Sequence, residues 1–248
     1  MAVVAVGLCV AVPLTQAQLG PGLAFSLNGI NQCISFPSET YFDGDFTIEA
    51  WVYARSFNSD SRVLDFARYN GSHNIALVLS SGTTGQPALI VSRSGSASTL
   101  TAPAALPLNQ WVHLAATLSG STGSIYINGQ LVAPSGSMQS PQHGARSLNF
   151  VGRMSQSASG YANAIFDEVR IWHVARSPAE IQGAMYQRVN GTDANLVAYW
   201  RLDDGGSANT MDATPNSLNG TLINNPVWLL SEVPFVPDAI TTGATAPA

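Results

Sequence analysis

The chain has 248 residues, of which 46% are hydrophobic and only 10% charged, so its polar surface must be built from Ser, Thr, Asn and Gln. The ten basic residues are all arginine; against fifteen Asp plus Glu they give a net charge of -5 and form no basic stripe, which excludes nucleic acid as a partner. The apolar fraction is large enough to offset the entropy of ordering, which excludes disorder over most of the length.

In chain order, residues 2–14 are an almost unbroken run of Ala, Val, Leu and Gly. The run has the length of an export-signal core and is too short to span a bilayer. The expected division is a signal peptide at 1–17, one folded domain at 18–230 and a Pro/Thr/Ala-rich tail or linker at 231–248. The mature domain is then secreted or held at the cell surface, with no membrane insertion once the signal is removed. Cys33 is its sole cysteine, so no intramolecular disulfide is expected.

From residue 23 the chain alternates short apolar runs with Gly, Asn, Ser and Pro clusters. Strands are expected at 24–27, 33–36, 46–54, 62–67, 74–79, 88–92, 111–118, 124–128, 131–133, 148–151, 164–174, 196–202, 221–223 and 227–229. The Asn128-Gly129 pair between two of them signals a tight hairpin. One helix is expected at 177–188, opened by Ser177, Pro178 and Glu180 as a capping box. Phe46, Ile48, Ala50 and Val52 alternate with Thr47, Glu49, Trp51 and Tyr53; Val112 and Leu114 alternate with Trp111 and His113. Aliphatic faces of two sheets should therefore pack together, leaving faces of aromatic and polar residues outside. Either those outer groups are covered and satisfy one another, Glu49 with Arg170 for instance, or they form a groove.

Residues 22–29 (GLAFSLNG), 46–52 (FTIEAWV), 111–117 (WVHLAAT), 125–129 (IYING), 151–153 (VGR), 166–172 (FDEVRIW) and 196–200 (LVAYW) resemble, in order and spacing, the LamG-like jelly-roll domain of the concanavalin A-like lectin/glucanase superfamily. The resemblance runs over residues 22–230. It implies an all-β fold, a two-sheet antiparallel sandwich with one short peripheral helix, used mostly for carbohydrate binding or adhesion. Calcium sites of such domains map here to Asn28 and Asp167. Asn28 replaces a common Asp, Gln32 a frequent acidic residue and Cys33 a common aromatic, so any Ca2+ site is expected to be weak.

The residues expected to touch a ligand are Trp111, His113, Trp51 and Tyr53, because sugar rings present apolar C–H patches beside hydroxyls and suit aromatic platforms with polar neighbours. Trp111 ranks first, since it stands at a strand start beside a loop. No enzyme is expected. The paired carboxylates of related glucanases are missing, and Asp167 and Glu168, adjacent on a strand, should point to opposite faces. The expected partner is a polysaccharide or glycoprotein. The alternatives are a structural module contacting a neighbouring domain of a longer chain, or a glycan-cleaving enzyme.

Overall fold

A computed structural model describes residues 22–69 and 72–235. The expected export segment at 1–17 and residues 236–248 of the expected tail lie outside the described residues. The first sheet holds, in order across it, β10 (Gln130–Ser137), β9 (Thr122–Ile127), β8 (Trp111–Ser119), β3 (Phe46–Ser56), β12 (Asn163–Trp172), β1 (Leu23–Asn28) and β16 (Val227–Leu230). Strand β13 (Leu196–Trp200) also pairs with β12. The second sheet runs β14 (Asn209–Thr210), β15 (Gly220–Ile223), β2 (Cys33–Phe36), β11 (Leu148–Val151), β4 (Arg62–Ala67), β5 (Ile75–Val78), β6 (Ala88–Arg93) and β7 (Ser96–Thr101). All strand pairs are antiparallel.

The aliphatic residues of alternate positions meet between the sheets, as the period of two requires. Phe46, Ile48, Ala50 and Val52 of β3 join Val112 and Leu114 of β8 and Phe166, Val169 and Ile171 of β12 in one buried cluster. Facing them from the second sheet are Ile34, Leu64, Phe66, Leu77 and Leu89. At its centre Phe66 lies against Tyr41 at 4.7 Å between ring centroids and Phe36 at 5.8 Å, while Phe36 stacks on Trp200 at 4.0 Å. The Asn128-Gly129 turn has both φ angles positive, 49° and 73°, which matches the strand twist and closes β9 on β10.

Two strands escape the sequence pattern. Strand β7 reads Ser-Ala-Ser-Thr-Leu-Thr, has one large apolar residue and lies at a sheet edge, so little hydrophobic alternation marks it. Strand β14 is two residues long. The helix α1 (Pro178–Ala184) forms with the expected capping box but stops short of Arg188. Its continuation is prevented at the carbonyls: Ala184 and Gln187 accept from Arg170, and Met185 accepts from Trp51 Nε1 at 2.8 Å. Packing also passes the expected domain end at 230, because Ser231 and Val233 are buried.

Arg146 gathers the loops at one end. Fully buried, it donates to the carbonyls of Phe42, His73, Gln142 and Gly144, which joins three connections through one guanidinium.

Phe66→Ala should lower the unfolding free energy by about 3–5 kcal/mol in urea titrations, since a core ring is lost and its cavity stays partly open. Cys33 is buried and its thiol is pushed up to about 11 by that burial. A maleimide should therefore label Cys33 only across the denaturation midpoint, and labelling of the native protein would contradict this packing.

Candidate functional site

The outer face of the first sheet is divided. Under α1 and the segment that follows it lies a closed electrostatic network centred on Arg170 and Glu49. Arg170 Nη2 donates to Glu168 Oε2 and to Gln187 O, both at 2.7 Å. Glu49 Oε1 accepts from Arg176 Nη1 at 2.6 Å, and its other oxygen lies 3.3 Å from His113 Nε2 and 3.9 Å from Arg170 Nη1. The helix itself seats Ile181 on Ala115 and Tyr126.

Burial opposes the charge on Glu49, but His113, Arg170 and Arg176 outweigh it and hold the carboxyl down to about 2. Burial lowers the pKa of His113, with Glu49 opposing and the two arginines assisting.

Trp51 and His113 therefore cannot meet a ligand: they are 2% and 1% exposed, and Trp51 is pinned by its bond to Met185. The helix and a covered outer face are both among the expectations, but nothing in the chain ties the one to the other: a seven-residue helix with one buried apolar residue carries too little periodicity to show which strands it covers. Tyr53 and Trp111 do come together beyond the helix. They are directly paired across β3 and β8, half-buried, with ring centroids 5.8 Å apart and edge to face.

The two expected calcium ligands are not brought together. Asn28 pairs with Asn163, four residues along β12 from Asp167, or about 13 Å at strand rise. Asn28 Oδ1 caps the N–H groups of Ile30, Asn31 and Gln32. Asp167 is fully buried, accepting from Glu168 N–H and the Ser231 hydroxyl. Its carboxyl is raised well above the usual range by burial and by the charge of Glu168, which favours the neutral form and not a metal ligand. These residues do not fit a calcium ion.

The expectation that Asp167 and Glu168 face opposite sides of β12 is also corrected. Between Asp167 and Arg170 the strand carries one residue more than β3, and Glu168 takes a left-handed φ of 52°. This bulge turns both carboxyls to the outer side, where Glu168 also accepts from the Tyr199 hydroxyl.

Opposite the bulge a cleft opens. Strand β1 pairs with residues 163–166 of β12 and β13 with residues 169–172, both antiparallel to it, so the end of β13 and the start of β1 meet nearly in line. The junction is a cleft of about 610 Å³ lined by Gly22, Leu23, Arg188, Arg201, Asp203, Asp204, Gly205, Met211 and Ala213. Asp203 holds it together, with Oδ1 accepting from Leu23 N–H at 2.8 Å and Oδ2 from Arg188 Nη2 at 2.5 Å. Asp204 Oδ2 accepts from the Thr210 hydroxyl and Met211 N–H. A Cβ on Gly22 would fall 2.1 Å from Asp203 Oδ1, so the close approach needs glycine, which also tolerates the φ of 85°. None of these lining residues stands out in the sequence as a site; the nearest signal is Asp203-Asp204 before two glycines.

Glu49 yields a pH prediction. A carboxyl whose folded pKa lies below its ordinary 4.5 stabilises the fold above that value, and the stabilisation fades as pH falls toward 2. The stability difference between wild type and Glu49→Gln, from urea titrations, should therefore be largest above pH 5 and shrink on acidification by on the order of 3 kcal/mol. A pH-independent difference would show that Glu49 does not titrate in this way.

No helix among the described residues is long and apolar enough to cross a membrane. No curated protein matches the chain. Among solved structures it is similar to a candidate carbohydrate-binding protein of Bacteroides ovatus ATCC 8483, with 17% identity and a TM-score of 0.67. That match covers 88% of this chain and 62% of the other, so the chain spans less than two thirds of that protein. Domain 4 of AbnA, an extracellular arabinanase of Geobacillus stearothermophilus solved with arabinotriose, matches at 23% identity and a TM-score of 0.55, covering 64% of this chain and 75% of the domain. The CBM40 of the Ruminococcus gnavus IT-sialidase, bound to alpha2,3 sialyllactose, matches at 11% and 0.52, covering 64% and 95%. At these identities the likeness is one of fold. The family model Laminin_G_3 matches residues 28–182, more than half of the sequence, and with the two-sheet sandwich described above the chain belongs to the concanavalin A-like lectin/glucanases superfamily.

Proposed function

We propose that the chain is a non-catalytic carbohydrate-binding module of a secreted or surface protein, and that a glycan sits in the cleft where β13 and β1 meet. The observation that carries this reading is the cleft itself. Its size lies within the range of ligand sites, and it mixes apolar Leu23, Met211 and Ala213 with guanidinium and carboxylate groups. Met211 is 54% exposed, an apolar surface beside hydrogen-bonding groups, which matches a sugar ring with C–H and hydroxyl faces. Superfamily membership and the carbohydrate-binding neighbours point the same way.

A binding role is favoured over hydrolysis by how the carboxylates are used. Asp203 has both oxygens occupied, and Asp167 and Glu168 are buried beneath the surface in contacts with Ser231, Arg170 and Tyr199. A glycosidase needs two carboxyls free to reach one bond. A calcium ion has no part in this reading.

The test is a glycan array followed by titration of the best ligand. Met211→Ala should weaken binding several-fold with a near-native melting temperature, while Trp111→Ala leaves affinity unchanged. The reverse pattern would move the site to the Tyr53–Trp111 surface, and an array without any bound glycan would overturn the function.

A further inference from the structure

One charged group in the cleft makes no hydrogen bond or ion pair within the described residues. Arg201 is half-buried, its Nε is shielded from solvent, and among the described residues nothing accepts a hydrogen bond from it. Arg68 and Arg170 share a shielded Nε without an acceptor, but both donate through their Nη groups. Arg93 is exposed and the remaining arginines each donate to a carbonyl, hydroxyl or carboxylate, so what sets Arg201 apart is that it makes no hydrogen bond at all within the described residues. A shielded donor without an acceptor carries its desolvation cost uncompensated, and in Arg201 no other hydrogen bond within the described residues offsets it. Its guanidinium is held 5.2 Å from the centroid of the Tyr199 ring, which restricts the side chain before any ligand arrives.

The neighbouring carboxylates accept no hydrogen bond from it, although Asp203 feels its charge. Asp203 is closed by Arg188 and Leu23 N–H, and Asp204 by Thr210 and Met211 N–H; neither forms an ion pair with Arg201. A planar guanidinium with free N–H groups is matched best by a planar acceptor of opposite charge. We propose that Arg201 makes the cleft selective for glycans that carry a carboxylate, the guanidinium gripping that group while Met211 and Leu23 meet the sugar ring. The inference rests on the carbohydrate reading of the cleft and adds the class of sugar. Uronic acids and sialic acids share this chemistry.

The test titrates the 248-residue chain with trigalacturonate, with sialyllactose and with their neutral counterparts, galactotriose and lactose. At least one carboxylated ligand should bind about tenfold or more tightly than its neutral counterpart, and the preference should weaken as salt is raised. Whichever acid binds identifies the source. Arg201→Gln should lose the preference while retaining the weaker binding of the neutral sugar; Arg201→Lys, which keeps the charge without the fork, should recover only part of it. Wild-type protein that binds neutral and acidic sugars equally would overturn the selectivity and leave the carbohydrate reading standing. A preference that survives unchanged in Arg201→Gln, with the fold intact by melting temperature, would overturn the role of Arg201. Absence of binding to any glycan, acidic or neutral, would overturn both readings.

Discussion

Arg170 is the group on which the outer half of the molecule depends. Its guanidinium is buried on a sheet face, a position that costs several kcal/mol unless charge and hydrogen bonds compensate. Glu168 and Glu49 supply the charge, and the carbonyls of Ala184 and Gln187 take further donors. The same contacts cap the end of α1, lay the 184–187 segment over Trp51 and fix Glu168 in its left-handed conformation. A polar sheet face becomes a second, charged core, its members held by one another and by backbone drawn down onto them, although one atom each of Glu49, His113, Glu168 and Arg170 is left without a hydrogen-bond partner. Removing one partner would leave the rest buried without compensation, which is why such networks are weak as added stability and strong as constraints on geometry.

How much of this was legible in the sequence varies with the kind of signal. The period-two alternation in Phe46 to Val52 and Val112 to Leu114 is set by burial between two sheets, so it survives in the sequence and yields the strands and the core. The Asn128-Gly129 turn is legible for a local reason, since few other pairs adopt two positive φ angles cheaply. The outer face is not legible in this way. Trp51, His113 and Trp111 look alike as aromatic residues on one face, and what separates them is a short helix from a distant part of the chain. The bulge at Glu168 is equally silent, because its residue is not glycine and its cause is the tertiary network around Arg170. The suggestion that Glu49 and Arg170 satisfy one another was available from their face assignment, and the structure places them 3.9 Å apart.

The cleft follows from topology more than from composition. A strand of ten residues, β12, is paired on one side by two shorter strands from opposite ends of the domain, and their meeting point cannot be bridged by regular ladder bonds. Asp203 takes over at the gap by accepting the Leu23 N–H and holding Arg188, so a side chain substitutes for the missing ladder. The residues left over at such a gap are released from sheet packing, and Arg201 and Met211 are of that kind. A rigid frame with a few uncommitted side chains is a general recipe for a site.

The pairing of β1 with both β12 and β16 has a consequence for how the molecule is made. Partners such as Phe25 and Phe166, or Leu23 and Leu230, are far apart in the chain, so β1 emerges from the ribosome long before either neighbour exists. Until then its edges are open, and closing so long a loop is the slow part of assembling such a topology. The cleft, whose walls come from residues 22–23 and 188–213, is among the last features to form. The cleft thus requires that the chain be made at least through residue 213, and a chain interrupted upstream of that point has no cleft at all.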